Sequence, residues 1–129
     1  MNIRVLLVDA HDEARGTLAR RLQRDQRLEI AAQVATVQEA SAVVEKANPD
    51  LMLLDVQSHD DAAAADCQEL GSLTEAPLIV LASFMTGEHW RTLRSAGAAD
   101  YLLKHADGER LCNALVRLAE RYRTTSMRL

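Results

Sequence analysis

Asp9, Asp55, Ser83 and Lys104 each stand at the end of a short apolar run. Together these four side-chain types suit one reaction, the transfer of a phosphoryl group. An aspartate is a poor nucleophile in water, yet it attacks phosphorus that is held close and in line. The protein has little covalent work in such a step. It must neutralise charge on the equatorial oxygens. Magnesium suits this, since it accepts one or two carboxylates plus phosphate oxygens and keeps some waters. A lysine adds positive charge and a hydroxyl adds a hydrogen bond. Taken singly, each residue has a commoner explanation: an Asp after a strand usually caps a helix, and a lone Lys or Ser there is usually just solvated. The signal lies in their conjunction.

The elements that must position them are legible. The apolar runs are Ile3 to Val8, Leu28 to Val34, Leu51 to Leu54, Leu78 to Ala82, and Tyr101 to Leu103. The third and fourth are continuously apolar, which fits strands covered on both faces. Between them lie helical patterns: Ala14, Leu18 and Leu22; Ala40, Val43, Val44 and Ala47; Trp90, Leu93 and Ala96; Leu111, Leu115, Leu118 and Tyr122. Asn48-Pro49 is a stop signal. Asp12, Thr36 and Thr86 stand where helix N-caps are wanted. The alanine-rich stretch from Asp61 to Leu73 has the weakest helical pattern. Strand-helix alternation of this kind predicts a doubly wound α/β domain with a five-stranded parallel sheet and helices on both faces. Ligands of such sheets gather outside the carboxyl ends of the strands. All four residues would meet there.

With 129 residues, the chain has the length of one domain. We read residues 1–124 as that domain and 125–129 as a tail or the start of a linker. Aromatics are only 3%, so the core must be aliphatic. A net charge of −4 gives no case for nucleic-acid binding by the domain. Arginines cluster from Arg15 to Arg27 and from Arg110 to Arg128, for which solvated helix faces are the ordinary explanation. Cys67 and Cys112 are too few for a disulfide framework or zinc site and read as free thiols, buried or half-buried. No apolar run is long enough to span a membrane, and the N-terminus lacks a signal-peptide pattern. A cytoplasmic, reducing location is expected.

Four segments now carry a resemblance: Arg4 to Asp9, Pro49 to Val56, Pro77 to Ser83, and Gly97 to Lys104. In this order and spacing the chain resembles the receiver domains of bacterial two-component response regulators, over nearly its whole length. Its end segments look most like receivers that precede a helix-turn-helix output domain; no such domain is in this chain. The resemblance implies the flavodoxin-like strand order 2-1-3-4-5. It implies that Asp55 is the phosphoacceptor, that a sensor histidine kinase or phosphotransfer protein is the donor, and that Lys104 pairs with the phosphoryl group. It makes Ser83 the switch hydroxyl and Tyr101 the aromatic that reports the switch. Magnesium would be held by Asp9, Asp55 and the backbone carbonyl of Gln57. Gln57 and Met85 would tune how fast the phosphoryl group is lost. The implied output is a change in the face formed by the fourth helix, fifth strand and fifth helix, leading to homodimerisation or partner docking.

Three departures matter. Asp9 is followed by Ala10, where the family usually has a second acid that ligates the metal directly. Its loss should weaken magnesium binding and lessen the upward shift of the Asp55 pKa. Asp12 offers a substitute ligand, though a cap is the commoner role. The loop after Asp55 reads Gln57-Ser58-His59-Asp60-Asp61-Ala62 in place of the family's Pro and Gly. Asp60 or Asp61 offers a replacement ligand, with capping the commoner role. His105 follows Lys104 where many receivers carry proline, which relaxes the need for a cis peptide there. His11, His59, His89 and His105 form no i, i+4 pair and read as solvated loop residues. Arg15 and Arg20 offer a docking face for an acidic kinase.

A phosphorylation switch is thus the favoured function. Its rival is a degenerate receiver that binds a partner without phosphorylation. A nucleotide- or flavin-binding α/β protein fits poorly, because Asp9-Ala10-His11-Asp12 is no glycine-rich phosphate loop.

Overall fold

Aliphatic runs become strands here, and the three inner ones, at Ile3–Val8, Leu51–Asp55 and Leu78–Ala82, are buried on both faces nearly throughout. In the computed structural model, residues 2–57 and 62–127 are described, with side chains to Arg123. The elements are β1 (Ile3–Val8), α1 (Asp12–Gln23), β2 (Leu28–Val34), α2 (Val37–Ala47), β3 (Leu51–Asp55), α3 (Ala62–Leu73), β4 (Leu78–Ala82), α4 (Gly87–Ser95), β5 (Asp100–Leu103) and α5 (Gly108–Met127). All strand pairings are parallel and the order is β2-β1-β3-β4-β5. This is the doubly wound sheet expected from the alternation.

The pleat divides the core in two. Val5 and Leu7 of β1 join a cluster with Leu18 and Leu22 of α1 and Leu111 and Leu115 of α5. Leu6 and Val8 join a second cluster with Val44 of α2, Leu70 of α3 and Leu93 of α4. Successive strand residues point to opposite faces, so one strand serves both layers. Leu51, Met52 and Leu53 of β3 are fully buried. Each such large side chain contributes about 1.5–3 kcal/mol. The edge strand β2 is half-exposed through Glu29 to Gln33.

The helix ends follow the sequence signals with one correction. The Thr36 and Thr86 hydroxyls accept hydrogen bonds from the Glu39 and His89 backbone N–H groups, as caps should. Asn48 takes a left-handed conformation (φ 42°) and ends α2. Asp12, however, is not the cap of α1. That place falls to His11, and Asp12 is the first helical residue, paired with Arg15 at 2.9 Å. A carboxylate in the first turn still complements the helix dipole. The weak pattern of α3 is a real helix whose small residues pack closely; Ala63, Cys67 and Leu70 are buried. Cys67 and Cys112 are both free and buried. Burial pushes the Cys67 thiol up to about 11, so it has little thiolate character. Among the described residues no helix is long and apolar enough to cross a membrane.

Candidate functional site

Register sets the site. Val8 lies beside Leu54 in the sheet, so the next residues, Asp9 and Asp55, emerge side by side. Asp55 lies beside Leu81, and Ala82 beside Leu103, so Ser83 and Lys104 leave the same edge one step further. Backbone bonds continue the ladder past the strands: Asp9 N–H donates to the Val34 carbonyl (3.0 Å), Val56 N–H to Leu81 (2.9 Å) and Lys104 N–H to Ala82 (2.8 Å). The loop ends that carry the side chains are therefore held by the sheet itself.

The Asp55 and Asp9 carboxyls are sunk into this edge, at 6% and 2% exposure. The Lys104 ammonium closes on Asp55 Oδ1 at 2.6 Å. Burial, and then the neighbouring Asp9 carboxyl, push the Asp55 pKa up, while Lys104 pulls it down; the outcome is about 6. Burial is the largest of these causes, so the missing acid at position 10 leaves an upward shift in place. Above about pH 6 Asp55 is a carboxylate, largely desolvated and beside a cation.

Two clefts open on this pair. One, of about 720 Å³, runs between α1 and the start of α5 and is lined by Thr17, Leu18, Arg21, Lys104 and Leu111. The other, about 270 Å³, lies toward the loop after β2 and is lined by Thr36, Gln38, Gln57 and Asp66. Asp9, His11 and Asp55 line both. An incoming group can therefore approach Asp55 from solvent while the carboxyl stays anchored.

The remaining sequence-derived residues fall as follows. Ser83 and Gln57 are exposed at the edge, and Ser83 makes no bond to Asp55 among the described residues. Tyr101 is half-buried, its ring packed on Trp90 of α4 with centroids 5.0 Å apart and planes at 55°. His89 is half-buried and His105 is exposed. No cis peptide occurs among the described residues. His59, Asp60 and Asp61 lie outside them.

Two expectations need correcting. His11 is not merely a solvated loop residue: its backbone N–H donates to Asp9 Oδ1 at 2.9 Å, and its Nδ1 lies 3.4 Å from the same oxygen. Arg15 is not on a docking face. Its side chain is only 16% exposed and turned inward, where Nη1 donates to the Asp9 carbonyl at 2.8 Å. Arg20 alone of that pair is exposed. The only sequence signal for the Arg15 contact was its place one turn beyond His11, on the inner side of the first helical turn.

Magnesium fits the donors here in type. Two buried carboxyls, one of which raises the pKa of the other, Asp55, would be relieved by a hard divalent cation. Among the described residues no three His, Cys, Asp or Glu side chains converge as a metal cage. Magnesium needs only one or two protein carboxylates beside its waters, so Asp9 and Asp55 suffice in kind.

A family model for the response regulator receiver domain matches residues 5–116. The chain belongs to that family. Receiver sequences similar to it include the DNA-binding transcriptional activator DevR/DosR of Mycobacterium tuberculosis, 32% identical over 114 residues. The transcriptional regulatory protein LiaR of Bacillus subtilis is 31% identical, also over 114 residues. Each alignment covers 88% of this chain, but only 52% and 54% of those relatives. The chain thus spans about half the length of these relatives. In fold it is similar to the signal receiver domain of NarL from Mycobacterium tuberculosis, with TM-score 0.78 and 20% identity over 92% of this chain and 97% of that one. A CheY-like receiver domain of Methanospirillum hungatei is as similar, with TM-score 0.78 and 19% identity over 97% and 99%. This receiver domain is therefore a signalling module of two-component systems.

Proposed function

We propose that this receiver domain is a phosphorylation switch whose acceptor is Asp55. The observation that carries the reading is the buried Asp55 carboxyl held 2.6 Å from the Lys104 ammonium, beside the buried Asp9. A carboxylate oxygen of Asp55 attacks the phosphorus of a phosphohistidine on a sensor kinase or phosphotransfer protein. The P–N bond breaks, its electron pair returns to the imidazole nitrogen, and that nitrogen takes a proton. Lys104 then turns from the carboxylate to a phosphoryl oxygen, which keeps one cation on the charge throughout. Asp9, Asp55 and the Gln57 carbonyl are the proposed holders of magnesium, which when bound neutralises the equatorial oxygens.

The output is proposed to run through β4 and β5. Ser83 is one residue past β4, and rotation toward a phosphoryl oxygen would draw the following loop with it. Trp90 and Tyr101 already pack together across α4 and β5. Phe84, one residue past Ser83 (48% exposed), and Leu103, at the end of β5 (38%), are large exposed apolar residues. This α4–β5–α5 face is the proposed surface for homodimerisation or partner docking. A DNA-binding output domain in the full protein is proposed from the relatives' length and names. The site is expected to work in the cytoplasm, with no direct role in nucleic-acid binding.

A second reading, a degenerate receiver that binds its partner unphosphorylated, draws on Ala10. Acetyl phosphate distinguishes them. With magnesium, the wild type should gain one phosphoryl group and Asp55→Ala none. No gain at high magnesium would favour the second reading.

A further inference from the structure

Among the described residues, the polar contacts of Arg15 lie on the turn between β1 and α1. Its Nη1 donates to the Asp9 carbonyl at 2.8 Å, its Nη2 pairs with Asp12 Oδ1 at 2.9 Å, and its backbone N–H donates to the His11 carbonyl at 2.8 Å. The guanidinium is mostly buried, and among the described residues its Nε has no hydrogen-bond partner. What the side chain does hold is the main chain of Asp9 and the first residue of α1. The Asp9 carboxyl is tied to the same turn through the His11 N–H.

We propose that Arg15 is a positioning residue that fixes the direction of the Asp9 carboxyl toward the metal. The inference rests on the magnesium reading above. This chain has Ala10 beside Asp9, so a single carboxyl must be aimed by its surroundings. Neutral atoms of the turn cannot aim it alone, because Asp9 is the last residue held by the sheet, through its N–H to Val34. Arg15 supplies the next fixed point, from a rigid helix, with a planar fork that spans two acceptors at once. Groups behind a metal ligand orient it in this way.

The test uses the full chain and the variants Arg15→Gln, Arg15→Lys and Asp12→Asn. Calorimetric titration with magnesium chloride should show affinity about tenfold weaker in Arg15→Gln, in the range typical of lost outer partners of a metal ligand. The magnesium concentration for half-maximal phosphorylation by acetyl phosphate should rise equally, with the saturated rate nearly unchanged. Arg15→Lys, which can reach one acceptor, should fall between. Hydrogen exchange at the His11 amide should quicken in Arg15→Gln, and this readout needs no metal. If Arg15→Gln does not fold, Asp12→Asn decides. Asp12 is 85% exposed, and its loss should shift both readouts the same way by less. Unchanged magnesium affinity in a folded Arg15→Gln whose wild type binds magnesium overturns the proposal. If the wild type binds no magnesium, the metal reading fails by itself. The His11 amide then decides whether Arg15 holds Asp9: faster exchange sustains the brace and equal exchange overturns it.

Discussion

Lys104 Nζ lies 2.6 Å from Asp55 Oδ1, although Asp55 ends β3 and Lys104 directly follows β5, two strands that are not neighbours in the sheet. Strand β4 stands between them, so the lysine reaches across it to a carboxyl that is almost fully buried. Lys104 is the cation that lowers the Asp55 pKa against burial and Asp9. In Lys104→Met the Asp55 pKa should therefore rise above about 6. A carboxyl-carbon NMR titration reads this directly. A fall would mean that the ion pair is absent in solution.

Phosphorylation should depend on the same titration. Only the carboxylate attacks phosphorus, so the acetyl phosphate rate at saturating magnesium should rise as pH increases through Asp55's pKa. That inflection is expected somewhat below about 6 with the metal present, because a bound cation favours the carboxylate. A rate flat from pH 5 to pH 8 would contradict Asp55 as nucleophile.

Asp55 should also cost stability at neutral pH. Its folded pKa is raised above the ordinary value of 3.8. Between pH 3.8 and about 6 the folded chain holds more protons than the unfolded one, so this contribution to stability is lost as pH rises through that window. Asp55→Asn should then stabilise the metal-free protein at pH 7 by about 1–2 kcal/mol, and hardly at all at pH 4. Urea unfolding at the two pH values measures the difference.

Restoring the absent acid is a separate test. Ala10 is exposed at the site's rim, so a carboxylate fits without crowding. Ala10→Asp should tighten magnesium binding by about tenfold, since the ion gains a hard oxygen ligand. It should lower stability without metal through repulsion from Asp9. Calorimetry with magnesium chloride, paired with a melting curve in a chelator, checks both halves.

The chain has a single tryptophan, and it packs on Tyr101 at 5.0 Å. Phosphorylation that moves Tyr101 must change the surroundings of Trp90. Its fluorescence should shift on adding acetyl phosphate and magnesium, and should not shift in Asp55→Ala. A constant spectrum in phosphorylated wild type would place the switch elsewhere.

Much of the fold was legible in the sequence because its signals are local. Aliphatic runs of strand length, threonine caps at Thr36 and Thr86, and the Asn48-Pro49 stop each act within a few residues. The strand ends named Asp9, Asp55, Ser83 and Lys104 as candidates, since parallel sheets gather function at one edge. Order and register are not local properties. Only the folded sheet set Asp9 beside Asp55, brought Lys104 across β4, and left Ser83 exposed and apart. It also decided what became of polar residues whose type allows several roles. His11 took the N-cap position expected of Asp12, without a side-chain capping bond, and Arg15 turned inward to the Asp9 carbonyl instead of facing solvent. A long cation on a first helical turn can lie along the surface or fold back into the turn. Which it does depends on acceptors that exist only once strand, loop and helix have met.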